Sequence, residues 1–455
     1  MIRILGATAV TLIVSLGGSD ASAHRAAVGS AAPPDIGALL TAARGAPPLI
    51  CAMAAHNLPG YNWGSWSDAP VTPLSSDAAR AFRTDDTRRL GDADVALLMD
   101  GLGSSDACVR ELSVRFLGAQ ETAKVNDALA SRLTSADAST RELAAFALGL
   151  AEAKTAADAL IRSLRDATAG VRANAAWALG RMESGKALSS IVALFNDGDE
   201  VVRSAAVMAA GRMDSTSSAA ALTRVLEHDQ SPQVRRLAAW ALGNLEARES
   251  ATALANALSH DGDARVREMS AWALGEMEAR SAASALMTAL KSDADDRVRE
   301  TAAWGLGQME QRSAIDALGD AVQGDANARV RGTAAWAIGQ LREDENGGRA
   351  SAGLVKLLRD DSEDTRRKAA WALGNIGDAS AVPAIRDALK AEQSSEVRRA
   401  LVRALTKSGG RSEAVFNELL SSSDPKVREI AVRGLAGNNA FNPWPWPWPR
   451  PRPFP

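Results

Sequence analysis

The chain has 455 residues, a formal net charge of −3 and 46% hydrophobic residues. That length holds two or three ordinary globular domains unless the chain is a repeat array, and the slightly acidic balance gives no electrostatic footprint for a nucleic-acid partner. Aromatics make up only 4% of the chain, but Trp supplies 11 of them against 7 Phe and 1 Tyr, so the Trp positions are informative.

Residues 1–23 read as a signal peptide. Arg3 supplies the charged start, Ile4 to Leu16 a short apolar stretch, and Ala21-Ser22-Ala23 a small-residue cleavage site. A membrane span needs roughly 20 apolar residues, more than this stretch offers. The expected product is an exported, soluble protein of the periplasm or the medium. Residues 24–91 are expected to form an N-terminal flexible segment and cap. They open with Ala/Gly/Pro-rich sequence, continue into a short apolar helix around Leu49–Leu58, and reach Tyr61, Trp63 and Trp66 in a Gly/Ser loop. Cys51 falls in that helix and Cys108 in the next segment. In an exported protein the two are expected to oxidise to a disulfide that staples the cap, the alternative being two buried thiols.

From 92 to 437 one phrase recurs: VRANAAWALG from Val171, VRRLAAWALG from Val234, VREMSAWALG from Val266 and VRETAAWGLG from Val298. Its Arg stands at 110, 141, 172, 203, 235, 267, 299, 331, 366, 398 and 428, at intervals of 30 to 32 residues with a single interval of 35. Four residues before each Arg is a residue able to cap a helix: Asp106, Asp137, Thr168, Asp199, Ser231, Asp263, Asp295, Asn327, Ser362, Ser394 and Asp424. From the cap onward, Val234, Leu237, Ala238, Ala241, Leu242 and Leu245 keep the spacing of one helical face. A shorter Ala/Leu-rich helix, such as 250–259 or 281–290, precedes each. Two helices in about 32 residues cannot bury their apolar faces alone, so the units must stack.

These residues resemble HEAT-like repeats of the short type named after phycobilisome lyases. The resemblance covers about Asp92 to Gly437 and implies an all-α, right-handed α-solenoid of about eleven two-helix repeats and a role in protein–protein interaction. Armadillo-like solenoids share that architecture. The glycines at 118, 149, 180, 211, 243, 275, 307, 339 and 374 are expected inside the last turn of each second helix, where they admit the next unit.

Two columns flank the core face of the second helix. The repeat Arg lies on one side, with loop acids and carbonyls of the adjacent unit as expected partners. On the other lie Trp177, Trp240, Trp272, Trp304, Trp336 and Trp371, replaced by Arg115, Arg403 and Arg433 in the end units. Two readings stand for this Trp ladder. Each indole packs between neighbouring helices, with the repeat Arg as a cation–π partner, or the rings form an aromatic binding strip on the concave face. The acidic loops around Asp197, Asp293 and Asp360 read as caps, since their spacing does not fit a Ca²⁺ loop. The four His carry no zinc-ligand spacing, and no nucleophile elbow, phosphate loop or Cys-x-x-Cys is present, so no catalytic residue, metal or cofactor is expected.

Residues 438–455 form a Trp/Pro/Arg-rich extended tail. Proline at every second position around Trp444, Trp446 and Trp448 excludes helix and favours polyproline II. Its composition is similar to Trp/Pro-rich membrane-active peptides, which implies weak contact with a membrane surface; a solvated tail or one folded back on the array are the alternatives. The chain is thus expected to be an exported, non-catalytic scaffold that binds protein partners through its second-helix face. The alternatives are an accessory subunit of an envelope sensor or peptidase, or a lyase-like enzyme subunit.

Overall fold

The computed structural model describes residues 36–47, 51, 90–120, 122–341, 347–408, 417, 419–423 and 425–435. Residues 1–35, which include the expected signal peptide, most of the region around 49–89, the insert after Leu341 and the Trp/Pro tail fall outside the described residues. Among the described residues all regular structure is helical, and it forms an all-α solenoid of stacked two-helix units.

The unit around Arg235 shows why the sequence folds this way. A first helix, Ala219–His228, ends where Asp229 turns extended. Ser231 caps the second helix by accepting from the Val234 amide, and Pro232 opens it at a position that needs no N–H. Val234, Leu237, Ala238, Ala241 and Leu242 are buried by the neighbouring helices. The helix runs through Gly243 to Asn244 and closes with two crossed hydrogen bonds, Ala247 N–H to the Leu242 carbonyl (3.0 Å) and Glu246 N–H to Gly243 (3.1 Å). This Schellman closure needs a left-handed residue, and Glu246 occupies it at φ 48°. Glu152, Glu183, Asp214, Glu278 and Glu310 repeat the strain, whereas among the described residues the unit of Arg366 uses glycine there, Gly377. A single 3-10 turn, such as Arg248–Ser250, then leads into the next first helix, which therefore starts about one residue later than its sequence pattern suggests.

Nine of the caps accept first-turn amides: Asp106, Asp137, Asp199, Ser231, Asp263, Asp295, Asn327, Ser362 and Ser394. Thr168 departs from expectation. Its hydroxyl makes no cap bond and instead accepts from Arg141 Nη2 of the preceding unit at 3.3 Å. Asp424 lies outside the described residues.

The glycine column sits inside the last helical turn and is explained by what meets it. A Cβ built on Gly149, Gly211, Gly243, Gly275, Gly307 or Gly339 would fall 2.5–2.9 Å from the ring of the following unit's Trp177, Trp240, Trp272, Trp304, Trp336 or Trp371. Gly319, inside the first helix Ile315–Gly324, faces open space. The two positions therefore separate propensity from packing. Gly319→Ala is expected to stabilise by about 0.5–1 kcal/mol through helix propensity. Gly307→Ala gains the same propensity but drives its methyl into Trp336 and the Ala337 backbone, so it is expected to cost about 1–3 kcal/mol net. Chemical denaturation of the two variants checks the opposite signs.

Successive second helices pack more extensively on one another than successive first helices do. The first-helix layer accordingly leaves gaps, including a groove of about 680 Å³ between Ala283–Ser292 and Ile315–Gly324, lined by Met287, Lys291 and Asp320.

The N-terminal end corrects one expectation. Ile36–Ala43, read from sequence as part of a mobile opening, is a helix with Ile36, Leu40 and Ala43 buried against the first unit, Asp92–Gly118. Its apolar i, i+4 pair makes it the cap. Gly45 N–H donates to Asp106 at 2.7 Å, and a disulfide joins Cys51 to Cys108 with Cα atoms 5.5 Å apart.

Candidate functional site: the second-helix face

The side of each second helix that faces the following unit is structural. Arg141 donates through Nε and Nη2 to both carboxylate oxygens of Asp166, in the next unit's loop, at 2.8 and 3.0 Å. The same bidentate rung recurs as Arg172–Asp197, Arg203–Asp229, Arg235–Asp261, Arg267–Asp293, Arg299–Asp325 and Arg366–Glu392, and Arg331 reaches Asp360 at 2.7 Å. Nη1 of each Arg also holds carbonyls of its own loop, as Arg267 does with Asp261 at 2.9 Å. The Arg141 hydrogen bond holds the Asp166 carboxyl below the ordinary carboxylate range. At Asp293 burial pushes upward, but Arg267, the Asp295 amide and Arg299 outweigh it and the net shift is downward. Acidic loops thus have a second role beyond capping. Asp293 holds Arg267, and Asp295, two residues on, caps the helix.

The Trp ladder is packed. Trp177, Trp240, Trp304 and Trp336 are 1–6% exposed, and only Trp272 and Trp371 are half-buried. Trp177 stacks on Phe146 with centroids 4.9 Å apart, and Arg181 lies 5.2 Å over its ring. That cation is four residues along the same helix, not the repeat Arg, which is turned the other way toward its loop acid. Of the two readings of the ladder, packing describes four of its six rings, and the aromatic strip is reduced to Trp272 and Trp371. The tail positions Trp444, Trp446 and Trp448 are outside the described residues.

Beside the ladder runs a row that sequence reasoning missed. The residue after the repeat Arg is charged in eight units, as Glu111, Glu142, Arg236, Glu268, Glu300, Arg367, Arg399 and Glu429, and helical spacing sets it one turn before the Trp position. Two residues before the repeat Arg stand Arg265, Arg297 and Arg329, all exposed. Arg329 Nε reaches Glu300 at 3.4 Å, Lys368 reaches Asp364 at 2.8 Å, and Arg399 reaches Glu396 at 2.8 Å. Burial pushes the carboxyls of Glu268 and Glu300 up, with Arg297 and Arg329 opposing. The sequence signal was available: charge sits where the wheel places the flank of the Trp column, and the regularity of the Trp masked it.

Glu142 is the extreme case. Burial pushes its carboxyl up to about 7, and it packs on Gly170, where a Cβ would fall 2.5 Å from its oxygen. A folded-state value above the ordinary carboxylate range means that stability falls as pH rises from about 4.5 to about 7 and stays low above that. Glu142→Gln is expected to raise Tm at pH 8, to leave it unchanged at pH 4, and to flatten the slope between. Melts at the two pH values decide it.

Among the described residues no three of His, Cys, Asp and Glu stand where they would hold a metal ion, and no helix is long and apolar enough to cross a membrane. The family model for HEAT repeats matches residues 126–211, 157–231, 219–306, 283–347 and 351–436, more than half of the chain. Among solved structures, Kap95p in a complex with RanGDP is similar over 75% of this chain and 56% of that one, at 16% identity and a TM-score of 0.56. An engineered protein aligns over 75% of this chain and 98% of its own at 22% identity, with a TM-score of 0.44. The complex of CpcE and CpcF of phycocyanin lyase from Nostoc sp. PCC7120 aligns over 55% of this chain and 93% of its own at 22% identity, with a TM-score of 0.33. No curated protein matches.

Proposed function

The chain belongs to the HEAT-repeat family, and from that premise we propose that it is an exported, non-catalytic scaffold of the short, phycobilisome-lyase type that docks a protein partner on its second-helix face. The HEAT-repeat fold is typical of protein-interaction solenoids, and Kap95p, of similar fold, binds Ran in the complex described above. In this reading the closely packed second helices line the concave side of the solenoid. The observation that carries the reading is the row of Arg265, Glu268, Arg297, Glu300 and Arg329 around the half-buried Trp272, repeated at one-unit spacing. Its charges are fixed in place by rigid helices, so a complementary partner meets a preorganised surface.

The combined variant Arg265→Ala, Glu268→Gln, Arg297→Ala and Glu300→Gln tests it. With far-UV circular dichroism unchanged, capture of the partner from envelope extract is expected to fall about tenfold or more. Equal capture by variant and wild type rejects the face as the docking surface.

A further inference from the structure

The charged row changes sign partway along the array. In the units of Arg267 and Arg299 the residue two before the repeat Arg is basic and the one after it acidic: Arg265 with Glu268, Arg297 with Glu300. In the units of Arg366 and Arg398 the order is reversed, Asp364 with Arg367 and Glu396 with Arg399. The unit of Arg331, with Arg329 and Gly332, stands between the two halves. Helix Ala328–Gln340 stacks on Glu363–Ile376 as it does on Asp296–Gln308, so the longer interval there does not interrupt the row. Pairing within the chain does not need the reversal. Arg329 reaches Glu300 of the preceding unit at 3.4 Å and Arg399 reaches Glu396 of its own at 2.8 Å, and either order alone would neutralise the whole row.

A sign reversal about one unit is what a two-fold axis requires of a charged face that meets a second copy of itself. With the axis parallel to helix Ala328–Gln340, units equally far from it meet column by column and the two copies run antiparallel. Arg265 then faces Glu396 and Glu268 faces Arg399, while nearer the axis Arg297 faces Asp364 and Glu300 faces Arg367. The match extends beyond the row. Exposed Glu276, nine residues after its repeat Arg, faces exposed Lys407, and half-buried Arg236 faces exposed Glu429. The half-buried ring of Trp272 faces Arg403, which takes the Trp position in its own unit. The two-fold axis makes each of these contacts twice. Asp296 and Glu363, which would face each other at the edge of the row, are held within the chain by Asn327 and Ser394. Arg329 meets its own copy at the axis, where two concave faces leave the widest gap, and it leans on Glu300 of its own chain. The three second helices on each side of the axis offer about 1,200 Å² per copy at about 10 Å spacing and about 20 Å length, above the roughly 800 Å² per partner of a standard interface. We propose that the partner of this face is a second copy of the chain, seated antiparallel about the unit of Arg331, an inference that rests on the second-helix face being the docking surface.

Sedimentation of the full-length protein tests it through two double variants. Arg265→Glu with Lys407→Glu makes the outer contacts acidic on both copies, and Glu276→Lys with Glu396→Arg makes them basic on both. Wild type is expected to dimerise reversibly, and each variant alone to dimerise at least about tenfold more weakly. An equimolar mixture of the two is expected to return to within about threefold of the wild-type affinity, because every outer contact is again between opposite charges. Recovery on mixing also shows that neither variant lost its dimer by misfolding. Wild type that stays monomeric at about 100 µM overturns the proposal. So do variants that dimerise as wild type does, or a mixture that does not recover. The docking face is judged separately. Monomeric protein that captures a partner from envelope extract, and loses it in the combined Arg265, Glu268, Arg297 and Glu300 variant, overturns the second copy and keeps the face. Capture that this variant leaves unchanged, with wild type monomeric, overturns both.

Discussion

Arg267→Met is expected to lower the stability of the array by about 2–3 kcal/mol, between the value of an exposed pair and that of a buried one. The side chains of Arg267 and Asp293 are 16% and 8% exposed, so removing the guanidinium leaves a carboxylate largely cut off from water. The loss also frees the Asp261 and Gly262 carbonyls that Nη1 holds. Since each unit touches only its neighbours, the damage is expected to concentrate at the junction of the units of Arg267 and Arg299, as faster amide exchange there than in 138–181. Adding Asp293→Asn is expected to recover part of the loss, because the stranded charge then disappears.

The rung also sets an acid limit. A carboxyl held below its ordinary value stabilises the fold fully above the unfolded value near 3.9, and that contribution disappears as pH falls through the lower folded value. Wild type is therefore expected to lose this contribution only below about pH 4, and Arg267→Met to lack that step. Urea melts between pH 2.5 and 7 measure both. A variant within 0.5 kcal/mol of wild type at pH 7 would assign the rung the weight of an ordinary surface pair.

The second large effect lies at the N-terminal end. The Cys51–Cys108 bridge spans 57 residues, and closing a loop of that size is worth about 4 kcal/mol in the chain-entropy account. The bridge acts on the cap and the first unit, so Cys51→Ser is expected to raise exchange in 36–43 and 107–118 while units from Ala169 onward stay protected. Loss of the cap would also uncover the residues that Ile36 and Leu40 bury. Identical exchange with and without reductant would remove the staple's role, and a thiol assay finding two free cysteines under native conditions would remove the bridge itself.

The periodic part of the molecule was legible because its causes are local or strictly repeated. Caps such as Ser231 and Asp263, the core residues Val234 and Leu242, and the repeat Arg each read directly from spacing. The helix Ile36–Ala43 escaped because one short apolar i, i+4 pair among Ala, Gly and Pro is weak until a partner surface covers it. The Glu268 and Glu300 row was visible as charge beside the Trp column but not as half-buried charge, since burial is set by how neighbouring units stack, as is the approach of Arg297 and Arg329 from the following units.

The sequence by itself determined the unit, its two helices, their caps and the stacking of about eleven copies, because a 3.6-residue period inside a 32-residue period has no other compact solution. Only the tertiary structure decided what each column faces. The distance from one unit's glycine to the next unit's indole is a property of two helices placed side by side. That distance decides between the two readings of the Trp ladder in favour of packing for most of its rings and leaves Trp272, Trp371 and the charged row beside them half-buried. Which faces are covered depends on neighbours, and no single unit's sequence contains them.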